Sequence, residues 1–215
     1  CCVVSQMILG RRPGRPASER QTGRALLDRA TRLHAPAVLL TELFAARRDQ
    51  LRLLAALRGP EETAQLEAIH HLAEKRDPHA IPALLALLRA TRSDRVLEHL
   101  IQALPAFGDP SVVPALLELA ERDLDPFLKV ELAEAVLRMK QPGGIPILIG
   151  SLGKNEPVLA QNKALALLRE VTGQTFGYRV EAPAKQNEEA LFRWKAWWGQ
   201  RGGKLTWHEQ RRRFE

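Results

Sequence analysis

Four histidines, His70, His71, His79 and His99, fall in one short stretch of the chain. Imidazole is the commonest metal ligand and a frequent general base, so metal or acid–base chemistry would first be sought here. The spacing argues against it. Neighbours such as His70 and His71 project to different sides of a helix, so they are not expected to ligate from one face. No carboxylate–histidine set recurs at i, i+4, and no nucleophile elbow, phosphate loop or triad spacing appears. Gly143-Gly144 reads as a loop inside a repeat and is not followed by the Lys-Ser/Thr that a phosphate loop needs. The only cysteines, Cys1 and Cys2, are adjacent, which normal disulfide geometry does not allow to bridge. No catalytic residue, metal ligand set or cofactor is expected.

A second concentration of functional side chains lies near the other end. Eight of the eleven aromatic residues fall in 173–215, among them Tyr178, Trp194, Trp197 and Trp198. Two readings fit. Large aromatics cover an apolar flank efficiently, so the segment suits a cap. Tyr178, Trp194 and Trp197 could alternatively form an open aromatic surface that grips a peptide. Which reading applies depends on the elements that carry these residues.

Those elements repeat. DPHAIPALLALLRATRSDRVLEHLIQALPAFG from Asp77, DPSVVPALLELAERDLDPFLKVELAEAVLRMK from Asp109 and QPGGIPILIGSLGKNEPVLAQNKALALLREVT from Gln141 align without gaps at a period of 32 residues. Pro recurs at 78, 110 and 142 and again at 82, 114 and 146. Proline fixes φ and lacks an N–H, so it suits the first turn of a helix. Each unit reads as two helices, with Asp94, Asp125 and Asn155 as N-caps of the second. In those second helices Leu100, Ile101, Leu104 and Phe107, then Leu132, Ala133, Val136 and Met139, then Ala164, Leu165, Leu168 and Val171 sit at helical spacing. Residues 45–76 fit one period earlier, more loosely. Their first helix, around Ala45–Leu57, lacks the prolines and reads as a degenerate, solvent-facing cap.

A hairpin this small cannot bury its own apolar face, but stacked neighbours can, which gives a solenoid. The pattern GDPSVVPALLELA at 108–120, with LPAFGDP at 104–110, resembles the HEAT-repeat superfamily, and within it the short bacterial HEAT-like repeats of the phycobilisome-lyase type. The ending TGQTFGY…RWKAWW, with Ala182 and Pro183 between, is similar to the C-terminal ending of bacterial HEAT-repeat proteins of unassigned function. The resemblance implies an all-α, right-handed solenoid of about four helical hairpins closed by an aromatic C-terminal cap helix. It carries over no catalytic residue. Hydroxylases among the relatives use paired His-Glu motifs that this chain lacks, so that activity is disfavoured.

The expected organisation is a basic, disordered leader over 1–30, a repeat array over 31–172 with units of about 45–76, 77–108, 109–140 and 141–172, a capping segment at 173–202 and a solvated tail at 203–215. The cap helix is expected over 187–200, with Asn187 as its N-cap and Leu191, Trp194 and Trp198 on one face. The leader holds GRP after arginines, which is weakly like a minor-groove hook, although the flank ASERQ is not basic. VVSQMIL is too short to span a bilayer, and basic residues follow it instead of preceding it. A cytoplasmic location is the default. A lipoprotein-type envelope location follows if Cys1 is a native mature N-terminus.

Charge is uneven. Residues 1–60 hold 11 basic and 4 acidic side chains, 61–140 hold 9 and 14, and 141–215 hold 12 and 7. The acidic middle argues against nucleic acid as the partner despite the overall charge of +7. Second helices of stacked hairpins usually line the concave face. There the outward positions are Glu67 and His70, His99 and Gln102, Glu131 and Glu134, and Lys163. This stripe is the expected contact surface of a non-enzymatic protein–protein scaffold. A nucleic-acid-binding role and an accessory lyase-type role on a protein partner remain as alternatives. The stripe is also consistent with an ordinary solvated face.

Overall fold

The computed structural model describes residues 37–215, with side chains from residue 41 onward. The basic leader, its GRP run, VVSQMIL and Cys1-Cys2 lie outside the described residues. The chain divides into two compact units, Cys1–Arg52 and Leu53–Glu215. The division falls inside the first described helix, α1 (Ala37–Ala56). This helix begins earlier than the repeat register suggests. Leu43 and Leu51 on it are exposed, and Arg47 donates to Gln50 at 2.6 Å.

The unit Leu53–Glu215 holds eight helices: α2 (Glu62–Lys75), α3 (Ile81–Ala90), α4 (Asp94–Ala103), α5 (Val113–Ala120), α6 (Pro126–Arg138), α7 (Gly144–Gly150), α8 (Val158–Thr172) and α9 (Ala184–Arg201). The second helices α2, α4, α6 and α8 pack side by side in chain order, and the first helices α3 and α5 pack on each other. This is the two-layer, repeat-on-repeat arrangement that the period of 32 residues requires. Most of the apolar residues expected at helical spacing are buried: Leu100, Ile101, Leu104, Leu132, Ala133, Val136, Ala164 and Leu168 are all 0% exposed, Val171 is also buried, and Phe107, Met139 and Leu165 are half-buried.

Local chemistry starts and stops these helices. Asp77 and Asp109 each cap a short 3₁₀ turn, accepting from the His79 N–H at 3.0 Å and the Ser111 N–H at 2.8 Å. The bond from Ser111 also holds the Asp109 carboxyl below its usual range. Asp125 caps α6 as expected, accepting from Phe127 and Leu128. Two expected caps are corrected. Ser93, one residue before Asp94, caps α4 through the Val96 N–H, because its hydroxyl lies at the extended residue just outside the helix. Asn155 lies in a turn, and α8 starts after Pro157 with no side-chain cap. At the far ends Arg76, Gly108 and Lys140 are left-handed at φ 48°, 66° and 59°. They stand one period apart, so each repeat closes with the same turn.

The core falls into two clusters that meet on α6. Leu128, Leu132, Ala135 and Val136 belong to the first, and Val130, Ala133 and Leu137 to the second. A helix buried on opposite sides is a wall and not an outer layer. Against it α7 packs closely at Gly144. A Cβ at that position would lie 2.5 Å from the Ala133 carbonyl oxygen and 2.8 Å from Leu137 Cγ.

The C-terminal segment departs from a solvated tail and adds two very short strands to the all-α fold. Trp207–His208 (β1) and Arg213–Phe214 (β2) form an antiparallel hairpin, pairing Trp207 with Phe214 and His208 with Arg213. Leu205 and Phe214 are buried in the second core cluster, and β2 packs on α8. Strand alternation explains how RRRFE can do this. Phe214 turns inward while Arg213 reaches Glu215. The Lys140 ammonium bonds Glu209, and that bond holds the Glu209 carboxyl below its usual range.

Candidate functional site

Side-by-side packing of α2 on α4, and of α6 on α8, brings the outward stripe together in two places. Between α2 and α4 lies a groove of about 360 Å³. Its floor is Ile69, Ala73 and Ala103, and its walls are His70, Glu74, Arg76, His99, Gln102 and the exposed Ala106. The small side chains of Ala73 and Ala103 leave it open. Of the stripe residues, His70, His99 and Gln102 line this groove together. Glu74 and Arg76 are additional. Glu74 is readable from its place one helical turn beyond His70, whereas Arg76 enters only because its left-handed backbone turns it away from the helix.

The carboxylate of Glu74 organises the near wall. His70 Nε2 lies 3.3 Å from one oxygen and His71 Nδ1 3.4 Å from the other. The two imidazoles are 5.8 Å apart. This corrects the expectation that adjacent histidines diverge: residues i+3 and i+4 share a face, and a single long side chain at that place draws both rings to it. On the facing helix, Gln102 Nε2 donates to Glu98 Oε1 at 3.3 Å. Among the described residues no group of three or more His, Cys, Asp or Glu could hold a metal ion.

The second place is an ion-pair cluster. Lys163 Nζ on α8 lies 3.1 Å from Glu134 Oε2 and 3.9 Å from Glu131 Oε1, both on α6. One ammonium is shared by two carboxylates, so this part of the face keeps a net negative charge. All three side chains are partly exposed, so the cluster itself adds little stability. Glu67 is exposed on α2 without joining either group.

The aromatic residues are a correction. Tyr178 is 4% exposed and Trp194 0%, so neither can line an open surface. The Tyr178 hydroxyl donates to the Leu152 carbonyl at 2.7 Å, with Gln161 Oε1 at 3.3 Å. Gln161 Nε2 in turn donates to the Gly153 and Glu156 carbonyls, both at 2.9 Å. Together they pin the loop between α7 and α8 from within, and burial raises the Tyr178 hydroxyl's pKa. Trp194 lies edge-on to Phe176 at 4.7 Å and to the half-buried Trp197 at 5.8 Å. This is a core, and it sits where the last repeat would otherwise leave its flank bare. Asn187 is not a cap. The helix starts at Ala184, and the Asn187 carboxamide brackets the Arg179 backbone instead, accepting at 3.3 Å and donating at 2.9 Å.

The family model for HEAT repeats matches residues 51–137 and again 81–169, which together span more than half of the chain. No curated protein and no solved structure shows a significant match. The chain belongs to the HEAT repeats, a family whose members commonly act as protein-interaction scaffolds. No helix among the described residues is long and apolar enough to cross a membrane.

Proposed function

We propose that this HEAT-repeat protein is a non-enzymatic scaffold that docks a basic or polar protein segment on the outward face of α2, α4, α6 and α8. The observation that supports it is the groove between α2 and α4, floored by apolar side chains and walled mainly by polar ones. Glu67, Glu74, Glu98, Glu131 and Glu134 lie on these helices, and Lys163 and Arg76 together offset only part of their charge. Such a field draws in cationic chains and orients them. The groove then supplies apolar contact to a side chain between the charges. Rigid stacking makes the surface preorganised, so docking orders little of the protein itself.

A fluorescent peptide alternating Lys and Ala tests this, with its Glu counterpart as control. The protein should bind the first and not the second. Changing Glu67, Glu131 and Glu134 to Lys should weaken binding at least about tenfold. Ala103→Phe fills the groove without changing charge and should weaken it as well. Unchanged affinity in both variants would leave the face as ordinary solvated surface.

A further inference from the structure

The outer face of α9 breaks the rule for a cap. The exposed side of a terminal helix should be polar, because it keeps the array soluble. Here Phe192 stands in the middle of that side and is 73% exposed. A shallow hollow of about 430 Å³ lies on the same face, lined by Lys185, Glu188, Glu189, Phe192 and Arg193. Helical spacing places Lys185, Phe192, Ala196 and Gly199 along its centre line. Glu188 and Lys195 flank the line on one side, and Glu189 and Arg193 on the other. Among the described residues none of these five charged groups has an ion-pair partner.

The order of these charges is self-complementary. We propose that this face pairs with the same face of a second copy, in an antiparallel dimer with two-fold symmetry. A two-fold axis that sets two helices antiparallel brings each flank against the same flank of the other copy, with the sequence reversed. About a centre near Phe192, Glu188 then opposes the other copy's Lys195, and Lys195 its Glu188. On the second flank Glu189 opposes Arg193, and Arg193 opposes Glu189. The two Phe192 rings meet at the centre, and Ala196 and Gly199 let the backbones approach. A parallel pairing would instead set each charge against its own kind, which is unfavourable. One arrangement satisfies all four flank charges and covers the phenylalanine. A single helix face is a small interface, so the association is of the weak, concentration-dependent class.

Sedimentation velocity of the full chain over a concentration series reaching the millimolar range is the test. The mean mass should rise toward twice that of the monomer. Two charge-reversed proteins decide the geometry: E188K/E189K, whose flanks become all positive, and R193E/K195E, whose flanks become all negative. All four side chains lie at the surface, so helicity by circular dichroism should match the parent. Each variant alone should associate at least about tenfold more weakly. An equal mixture of the two should recover association as a heterodimer, because each acidic flank now meets a basic one. A parent that stays monomeric throughout would overturn the proposal. So would a single variant that associates as well as the parent, or a mixture that fails to recover. None of these outcomes depends on whether the α2–α4 groove binds a peptide.

Discussion

Gly144 offers a test in which repeat register and packing disagree. In the two preceding units the same position holds Ala80 and Val112, both buried at 0% exposure. By register alone, Gly144→Ala should be harmless or mildly stabilising, since it cuts the freedom of the unfolded chain by ~0.4–1 kcal/mol. The packing of α7 on α6 points the other way. The new Cβ would lie 2.5 Å from the Ala133 carbonyl oxygen and 2.8 Å from Leu137 Cγ, against ordinary contacts beyond 3.4 Å. The leucine can turn, but the carbonyl belongs to the α6 backbone and cannot. Relief requires α7 to back away from α6 by several tenths of an ångström, which costs about 1–3 kcal/mol for an overpacked core. Subtracting the chain-entropy gain from the middle of that range leaves a net loss of roughly 1.3 kcal/mol. For a chain of this size that lowers the melting temperature by about 3–5 °C. Denaturation followed by tryptophan fluorescence reads it, because Trp194, Trp197, Trp198 and Trp207 all pack in or against the second core cluster. Gly150→Ala is the control: its Cβ would meet nothing within 4 Å, so its stability should be unchanged or slightly higher. If Gly144→Ala melts at or above the parent temperature, the close approach of α7 to α6 is wrong.

Tyr178→Phe leaves the Leu152 carbonyl and Gln161 Oε1 without their donor, and should cost about 1–3 kcal/mol, with faster amide exchange confined to the loop between α7 and α8. Acid should loosen the terminal hairpin before the repeats. Bonds from Arg211 and Arg213 lower the Glu215 carboxyl to about 2, so its contribution is whole above the unfolded value of 4.5 and lost as pH falls toward about 2. Tryptophan fluorescence should change across that window in the parent and change less in Glu215→Gln, where Glu209, also held low in this hairpin, still titrates.

The repeats were legible because one rule is applied three times. Proline at the first turn, aliphatics at helical spacing and a closing turn recur at a fixed period, so each unit supports the reading of the next. Departures from that period were not legible. Gly144 is read as a loop glycine because nothing in a sequence states how closely two helices approach. Gln161 stands where Lys129 and Leu97 stand in the earlier repeats, and that break in register is its only signal. The burial of Tyr178 and Trp194 was hidden for a related reason. An aromatic next to the end of an array can equally cover the flank or grip a ligand, and only the surrounding backbone decides. The hairpin at 207–214 was hidden by composition, because four charges around one phenylalanine read as tail.

The array's ending shows why those departures cluster at one end. Arg76, Gly108 and Lys140 close three repeats with a left-handed residue at a constant spacing. The next such residue is Gly173, one position late, because α8 runs on to Thr172. A slip of one residue rotates the rest of the chain by about 100° around the helix axis and breaks the stacking direction. The chain can no longer add a hairpin in register, yet the flank of α7 and α8 still needs cover. Trp194, midway along the terminal segment, and Phe214, near its end, provide it, both fully or almost fully buried. Covering a flank with one helix and one hairpin leaves the far side of that helix unconstrained by the repeat. That is the side on which Phe192 stands exposed, free to serve contacts that the array does not dictate.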